Sequence, residues 1–258
     1  MLHRLAVHAV VRAFDAGPVV ASHQSALVMH GLPTWGLDLS HVHVTRLDRR
    51  NGRVAAGVCH HQGHGLVDEN LAEVEGVTLT GVARAVVEAA CASAYESAVV
   101  VMDAALNREL TTVEELAKTL NGIRGWPGSG TAREALAFAD GRAESVGESR
   151  LRVIVDNYGL PTPALQTRFS TSSGQVVARV DFYFRDQAVI VEFDGRIKYR
   201  GNAPDVVLRE KEREDRLRAG GVIVVRVTWD DLDHPERLVR RIRQAFARAE
   251  RAGLVRSA

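Results

Sequence analysis

The sequence predicts an α/β protein of the mixed α+β kind, organised as two units, and three observations carry that prediction. Short apolar runs with strand periodicity, bounded by Gly, Asn and Asp, alternate with longer runs of helical spacing in both halves. The stretch 122–130, which contains Gly-Trp-Pro-Gly-Ser-Gly, is the strongest loop signal and divides the chain. A chain of 258 residues, 46% hydrophobic and 25% charged, can bury two ordinary cores. We therefore place a mixed α+β unit at 1–125, a linker and connecting helix at 126–143, and a second unit at 144–258.

The elements follow in order. Helical spacing runs over residues 3–14, and Ser22 can cap a second helix that closes at Gly31-Leu32-Pro33. Residues 41–47 and 53–60 alternate as paired strands around Arg-Arg-Asn-Gly, and 74–80 adds a third. The Ala- and Val-rich run 82–106 predicts one or two buried helices, and Thr111-Thr112-Val113-Glu114-Glu115 reads as the capped start of another. A helix over 131–139 leads into the second unit. There, a helix over 144–158 is stopped by Gly159 and Pro161, and a strand at 165–170 is followed by the turn Ser172-Ser173-Gly174. A hairpin comes next. Pro204 opens a helix to Arg218, 222–228 is a continuous apolar strand of the fully buried type, and 235–251 closes the unit as a helix. The order is α-β-β-β-α-β-α.

The hairpin carries the chemistry. In "RVDFYFRDQAVIVEFDGRIK" (179–198), a two-residue turn at Asp186 and Gln187 sets Asp181 opposite Glu192. Asp181, Glu192 and Asp194 then converge on one face, while Val180, Phe182, Phe184, Val189, Val191 and Phe193 fill the other. Ionised carboxylates inside apolar strands are costly unless something offsets them, and a hard divalent cation with oxygen ligands does so: Mg²⁺ or Mn²⁺. Carboxylates on a hairpin can also be solvated charges or partners of Arg179 and Arg196, but both strands here are too apolar for an exposed edge.

With its Glu on the first helix, Asp on the second strand and Glu-x-Asp on the third, the second unit resembles the PD-(D/E)XK nuclease superfamily, most closely its very-short-patch-repair-like endonuclease branch. The likeness covers roughly two-fifths of the chain. It implies a restriction-endonuclease-like αβββαβ core with an extra C-terminal helix, and a metal-dependent endonuclease hydrolysing DNA. On the matching positions it implies Glu148 in "ESVGESRLR", Asp181 and Glu192 as catalytic and metal-holding acids. Where the family motif has lysine, this chain has Asp194. Lys198, just past the strand, and Lys211, on the following helix, are the lysines able to take that part, with Lys211 preferred because a helix holds a side chain more rigidly than a loop. Asp194 serves as a second ligand or a structural acceptor. Glu144, four residues before Glu148, reads as plain surface.

Arg240, Arg241 and Arg243 lie in an arginine-rich final helix that either tracks nucleic-acid phosphates or is a solvated face. In the first half, His41 and His43 share a strand face, and Cys59, His60, His61 and His64 could meet them; zinc is one reading and ordinary packing the other, and the spacing fits no standard zinc pattern. The segments "ASHQSALVMHGLPTWG", "VHVTRL" and "VTLTGVARAVVEAA" resemble, more loosely, the central region of AbiEi-type antitoxin proteins. That resemblance implies a toxin–antitoxin role, a protein partner bound through the first half, and, as the rival to an endonuclease, a non-catalytic type IV antitoxin-like DNA-binding regulator with a vestigial nuclease fold. The family's winged helix is not apparent ahead of these segments. A net charge of +1 gives no support by itself to a nucleic-acid or membrane partner, and two cysteines give no disulfide framework. The expected setting is the cytoplasm.

Overall fold

The computed structural model describes residues 2–14, 19–48, 51–63, 65–170, 176–195 and 221–255. The chain is a mixed α+β protein and separates into two compact units, Met1–Val146 and Gly147–Ala258. The segment 126–143, expected as a linker, belongs to the first unit.

The first unit is a six-stranded mixed sheet in the order β3-β4-β2-β1-β6-β5, with helices α1 (Leu2–Arg12), α2 (His23–Met29), α3 (Val82–Cys91), α4 (Tyr95–Asn107), α5 (Val113–Gly122) and α6 (Ser129–Phe138). Its strands are β1 (Val19–Ala21), β2 (Val42–Arg46), β3 (Arg53–Ala55), β4 (Val58–Gln62), β5 (Leu71–Val74) and β6 (Val77–Thr80). The helix α5 starts as the sequence indicates: Thr112 Oγ1 accepts from Glu115 N, and Glu115 Oε2 accepts from Thr112 N, both at 3.2 Å.

Two strand expectations are corrected. The run 53–60 is two strands, because Ala56 and Gly57 both take left-handed backbone (φ 50° and 75°), the conformation of a tight hairpin turn. Strand β4 therefore folds back on β3 and lies parallel, not antiparallel, to β2. The run 74–80 likewise contains a turn at Glu75 and Gly76 (φ 53° and 72°), which makes β5 and β6 a hairpin.

In the second unit, α7 (Val146–Asn157) precedes β7 (Ala164–Ser170), β8 (Val176–Phe184), β9 (Val189–Phe193) and β10 (Ile223–Val227). A single turn at Trp229–Leu232 then leads to α8 (Pro235–Arg251). The sheet order is β10-β9-β8-β7, with β10 parallel to β9 and the other pairs antiparallel. Leu151, Ile154 and Val155 of α7 and Leu238, Val239, Ile242, Ala245 and Ala249 of α8 bury against Phe182, Phe184, Val189, Val191, Val225 and Val227. This is the apolar face the alternation forecasts. Central β9 is buried along nearly its whole length, as a strand flanked on both sides must be. The helix expected over 204–218 and the turn at 172–174 lie outside the described residues.

The register is the expected one: Phe182 faces Val191 and Phe184 faces Val189, so its continuation sets Asp181 across from Glu192. The connection differs. It is the four residues 185–188, with Ala188 N donating to Arg185 O at 3.2 Å and Ala188 at φ 50°. Val180 also differs from expectation. It packs with Ala178, Ala188, Ile190 and Val222 rather than with Phe182, so β8 changes the face it presents at Asp181. Among the described residues, no helix is long and apolar enough to cross a membrane.

Candidate functional site

Glu148 lies in the first turn of α7, where a carboxylate is favoured by the helix dipole, and is only 7% exposed. Its Oε2 accepts from Gln166 Nε2 at 2.8 Å. Gln166 is on β7, across from Asp181 in the continuous register between Leu165↔Phe182 and Thr167↔Val180. Its backbone is left-handed (φ 49°), and its Oε1 is buried with no hydrogen-bond partner. Such a conformation costs on the order of 1 kcal/mol and is held only where the surroundings impose it.

Asp181 occupies the point where β8 changes face. Instead of pointing away from the sheet, its Oδ2 accepts from the backbone N–H of Phe193 at 2.9 Å, a donor that a regular ladder would give to a carbonyl. The adjacent Glu192 is 9% exposed. Asp194 is half-buried, and its backbone N–H donates to Val227 O at 2.7 Å. A chain of contacts thus runs from Glu148 through Gln166 to the strand position facing Asp181, and from Asp181 to the backbone beside Glu192.

The helix–sheet junction is tight. A Cβ on Gly147 would fall 2.1 Å from the Phe193 ring, so only glycine lets α7 approach there. Phe193 stacks edge-on to Trp229 at 4.9 Å between centroids, and Trp229 Nε1 donates to Gly195 O at 3.3 Å. These contacts fix the residue whose N–H holds Asp181.

Lys198 and Lys211 lie outside the described residues. Of the three arginines expected to meet phosphate, Arg241 donates to both oxygens of Asp231 (2.9 and 3.1 Å) and to Arg226 O, while Arg243 donates to Tyr158 O at 3.0 Å. Arg240 is exposed. Asp231 is buried. Desolvation raises its pKa, but the Arg241 guanidinium and the Thr228 donors outweigh this and hold it below the usual carboxylate value.

Gln166 is a site residue that sequence reasoning missed; its only signal is a long amide opposite Asp181, visible once β7 is paired with β8. The tightest group of potential metal ligands is in the first unit. Among the described residues, His23, His43 and His61 alone form a set whose donor atoms all lie within 4.8 Å of one another. Glu148, Asp181 and Glu192 are not drawn together that closely. His43 and His61 belong to the suspected first-half group. His41 does not join them, His60 turns toward Phe14, and His64 lies outside the described residues. His23 carried no sequence signal.

These features define a two-unit α+β protein whose second unit carries a buried Glu148 on its first helix and a half-buried Asp181 and buried Glu192 on its mixed sheet. The chain is 33% identical over 247 residues to the uncharacterized protein Rv2248 of Mycobacterium tuberculosis strain H37Rv, a match covering 95% of this chain and 88% of that protein. The uncharacterized protein MT2308 of strain CDC 1551 matches to the same extent. The chain belongs to the family of these mycobacterial proteins. No family model and no solved structure matches it.

Proposed function

We propose that the second unit is a metal-dependent endonuclease that hydrolyses DNA phosphodiester bonds in the cytoplasm, with Asp181 and Glu192 holding Mg²⁺ or Mn²⁺ and Glu148 completing the site. The observation that supports it best is the chain of contacts from buried Glu148 on the first helix through Gln166 to half-buried Asp181 and the backbone beside buried Glu192, with the unpartnered Gln166 Oε1 beside Glu148. The donor set fits a hard cation: every candidate ligand is an oxygen. Mg²⁺ keeps several waters and takes only one or two carboxylates, so direct ligation by Asp181 and Glu192 with Glu148 acting through water agrees with a trio that is not closed up. When bound, the ion would lower the pKa of a coordinated water and screen charge on the phosphate.

The chain's own groups have separate parts. The Phe193 N–H orients the Asp181 carboxylate, and the Gln166 amide orients Glu148. Gln166 Oε1, buried and without a hydrogen-bond partner, is the acceptor able to align a water for attack. Lys198 or Lys211 would supply the ammonium that Asp194 replaces. Arg240 is the arginine of the final helix we assign to phosphate contact, and the first unit is the surface we assign to a protein partner.

The presence of Asp194 favours one second reading, a non-catalytic antitoxin-like DNA-binding regulator. Incubating purified protein with supercoiled plasmid and Mg²⁺ or Mn²⁺ separates the two. Metal-dependent nicking that disappears in Asp181→Ala, prepared in parallel, supports the endonuclease. Retarded mobility without cleavage supports the regulator.

A further inference from the structure

We infer that His23, His43 and His61 form a metal site in the first unit, independent of the carboxylates of the second, that takes a divalent transition metal of the Zn²⁺ class rather than Mg²⁺. Parallel pairing of β2 with β4 sets His43 beside Cys59 and Thr45 beside His61, so His43 and His61 are diagonal neighbours on one face. His43 Nδ1 lies 2.9 Å from His61 Nε2. The His23 ring lies on the His61 ring at 3.6 Å between centroids and 17° between planes, and 5.8 Å from the His43 ring. All three donor atoms fall within 4.8 Å of one another.

Three features go beyond chance proximity. First, His23 opens α2 with a left-handed backbone (φ 52°), an unfavourable conformation for a residue with a side chain, and that conformation turns its ring onto the cluster. Second, its Nδ1 contacts Ser22 Oγ at 3.0 Å and Glu88 Oε2 at 3.5 Å, while Glu88, fully buried, is held by Arg84 Nε at 2.6 Å. A carboxylate near Nδ1 favours the tautomer with the proton there and a bare Nε2, the kind of outer support that metal-bound histidines receive. Third, the 2.9 Å approach of His43 Nδ1 to His61 Nε2 has room for only one proton, so at least one of the two facing nitrogens carries none. Neutral imidazole is the ligating form.

Imidazole nitrogen selects Zn²⁺, Ni²⁺, Co²⁺ or Cu²⁺ over Mg²⁺. Zn–N bonds of about 2.0–2.1 Å require nitrogens a little over 3 Å apart, so binding needs ring rotation about χ2, not strand movement. His43 and His61 are half-exposed, which leaves a fourth position for water.

The test uses the full chain, stripped with EDTA and titrated with Co²⁺ and then Zn²⁺. One equivalent of Co²⁺ gives visible absorption that Zn²⁺ abolishes. His43→Gln and His61→Gln each weaken binding at least tenfold, and His41→Gln leaves it unchanged. In wild-type protein with ¹⁵N-labelled histidine, Zn²⁺ shifts the ring nitrogens of three of the ten histidines, a readout that does not depend on the variants folding. Absence of a one-to-one complex, or shifts confined to other histidines, overturns the assignment, as does full affinity in folded His61→Gln.

Discussion

In the metal-free protein, lowering the pH should selectively destabilise the first unit, and the histidine cluster sets the size of the effect. His23 is 5% exposed, and burial, followed by the nearby His43 and Arg84 charges, lowers its pKa from 6.5 to about 3. A histidine whose folded pKa is depressed contributes stability that is fully present above the unfolded value and is lost as pH falls from 6.5 toward 3. At pH 5 the unfolded chain binds this proton and the folded one does not, which amounts to about 2 kcal/mol for His23. His43 and His61 shift the same way but are more open to solvent, and screening reduces their share to about 1 kcal/mol each. His3 and His60 are lowered too, chiefly by burial. A loss of about 4 kcal/mol is a large part of a typical stability of about 5–15 kcal/mol. Urea unfolding of Trp229→Phe, followed by the fluorescence of Trp35 and Trp126, reports the first unit alone. His23→Asn, which tolerates left-handed backbone, should flatten the pH dependence by about 2 kcal/mol. Stability within 1 kcal/mol at pH 7 and pH 5, or unchanged pH dependence in His23→Asn, would refute this reasoning.

Three further outcomes follow from the second unit. Gly147→Ala pushes Phe193 off its place, so we expect about 1–3 kcal/mol of destabilisation by thermal melting and reduced plasmid nicking at temperatures where the fold persists. Gln166→Leu removes the amide that donates to Glu148 and should lower the nicking rate by about tenfold or more while circular dichroism stays native; an unchanged rate would remove Gln166 from the site. Arg241→Ala removes one of the two guanidinium partners of buried Asp231, leaving Arg237 and the Thr228 donors, and should cost about 1–2 kcal/mol in denaturant unfolding. Arg240→Ala should leave stability alone and reduce the salt slope of DNA binding by about one.

The parts of this molecule legible in the sequence are those that local pattern determines. The Thr112–Glu115 cap, the Gly159 stop and the hairpin register that pairs Phe182 with Val191 follow from neighbouring residues, and the folded chain keeps them. The strand β1, Val19–Ala21, is too short to show alternation, and the turns at Ala56-Gly57 and Glu75-Gly76 interrupt runs whose hydrophobicity reads as continuous. The face change at Asp181 is invisible to a period-two pattern, because it arises from a side chain taking the place of a backbone acceptor. The candidate acids could be named from residue type and position. Gln166 and His23 could not, since each gains its role from a partner distant in sequence, Glu148 for the first and His61 with Glu88 for the second.

The most direct test of the endonuclease proposal is the stoichiometry of Mn²⁺ binding, read from the loss of the free-ion electron paramagnetic resonance signal, in protein carrying His61→Gln so that the histidine cluster does not contribute. We expect one Mn²⁺ per chain, weakened at least tenfold by Asp181→Asn and by Glu192→Gln in folded protein. Binding of equal strength in those variants, or no binding to the unaltered carboxylates at millimolar Mn²⁺, would contradict the proposal.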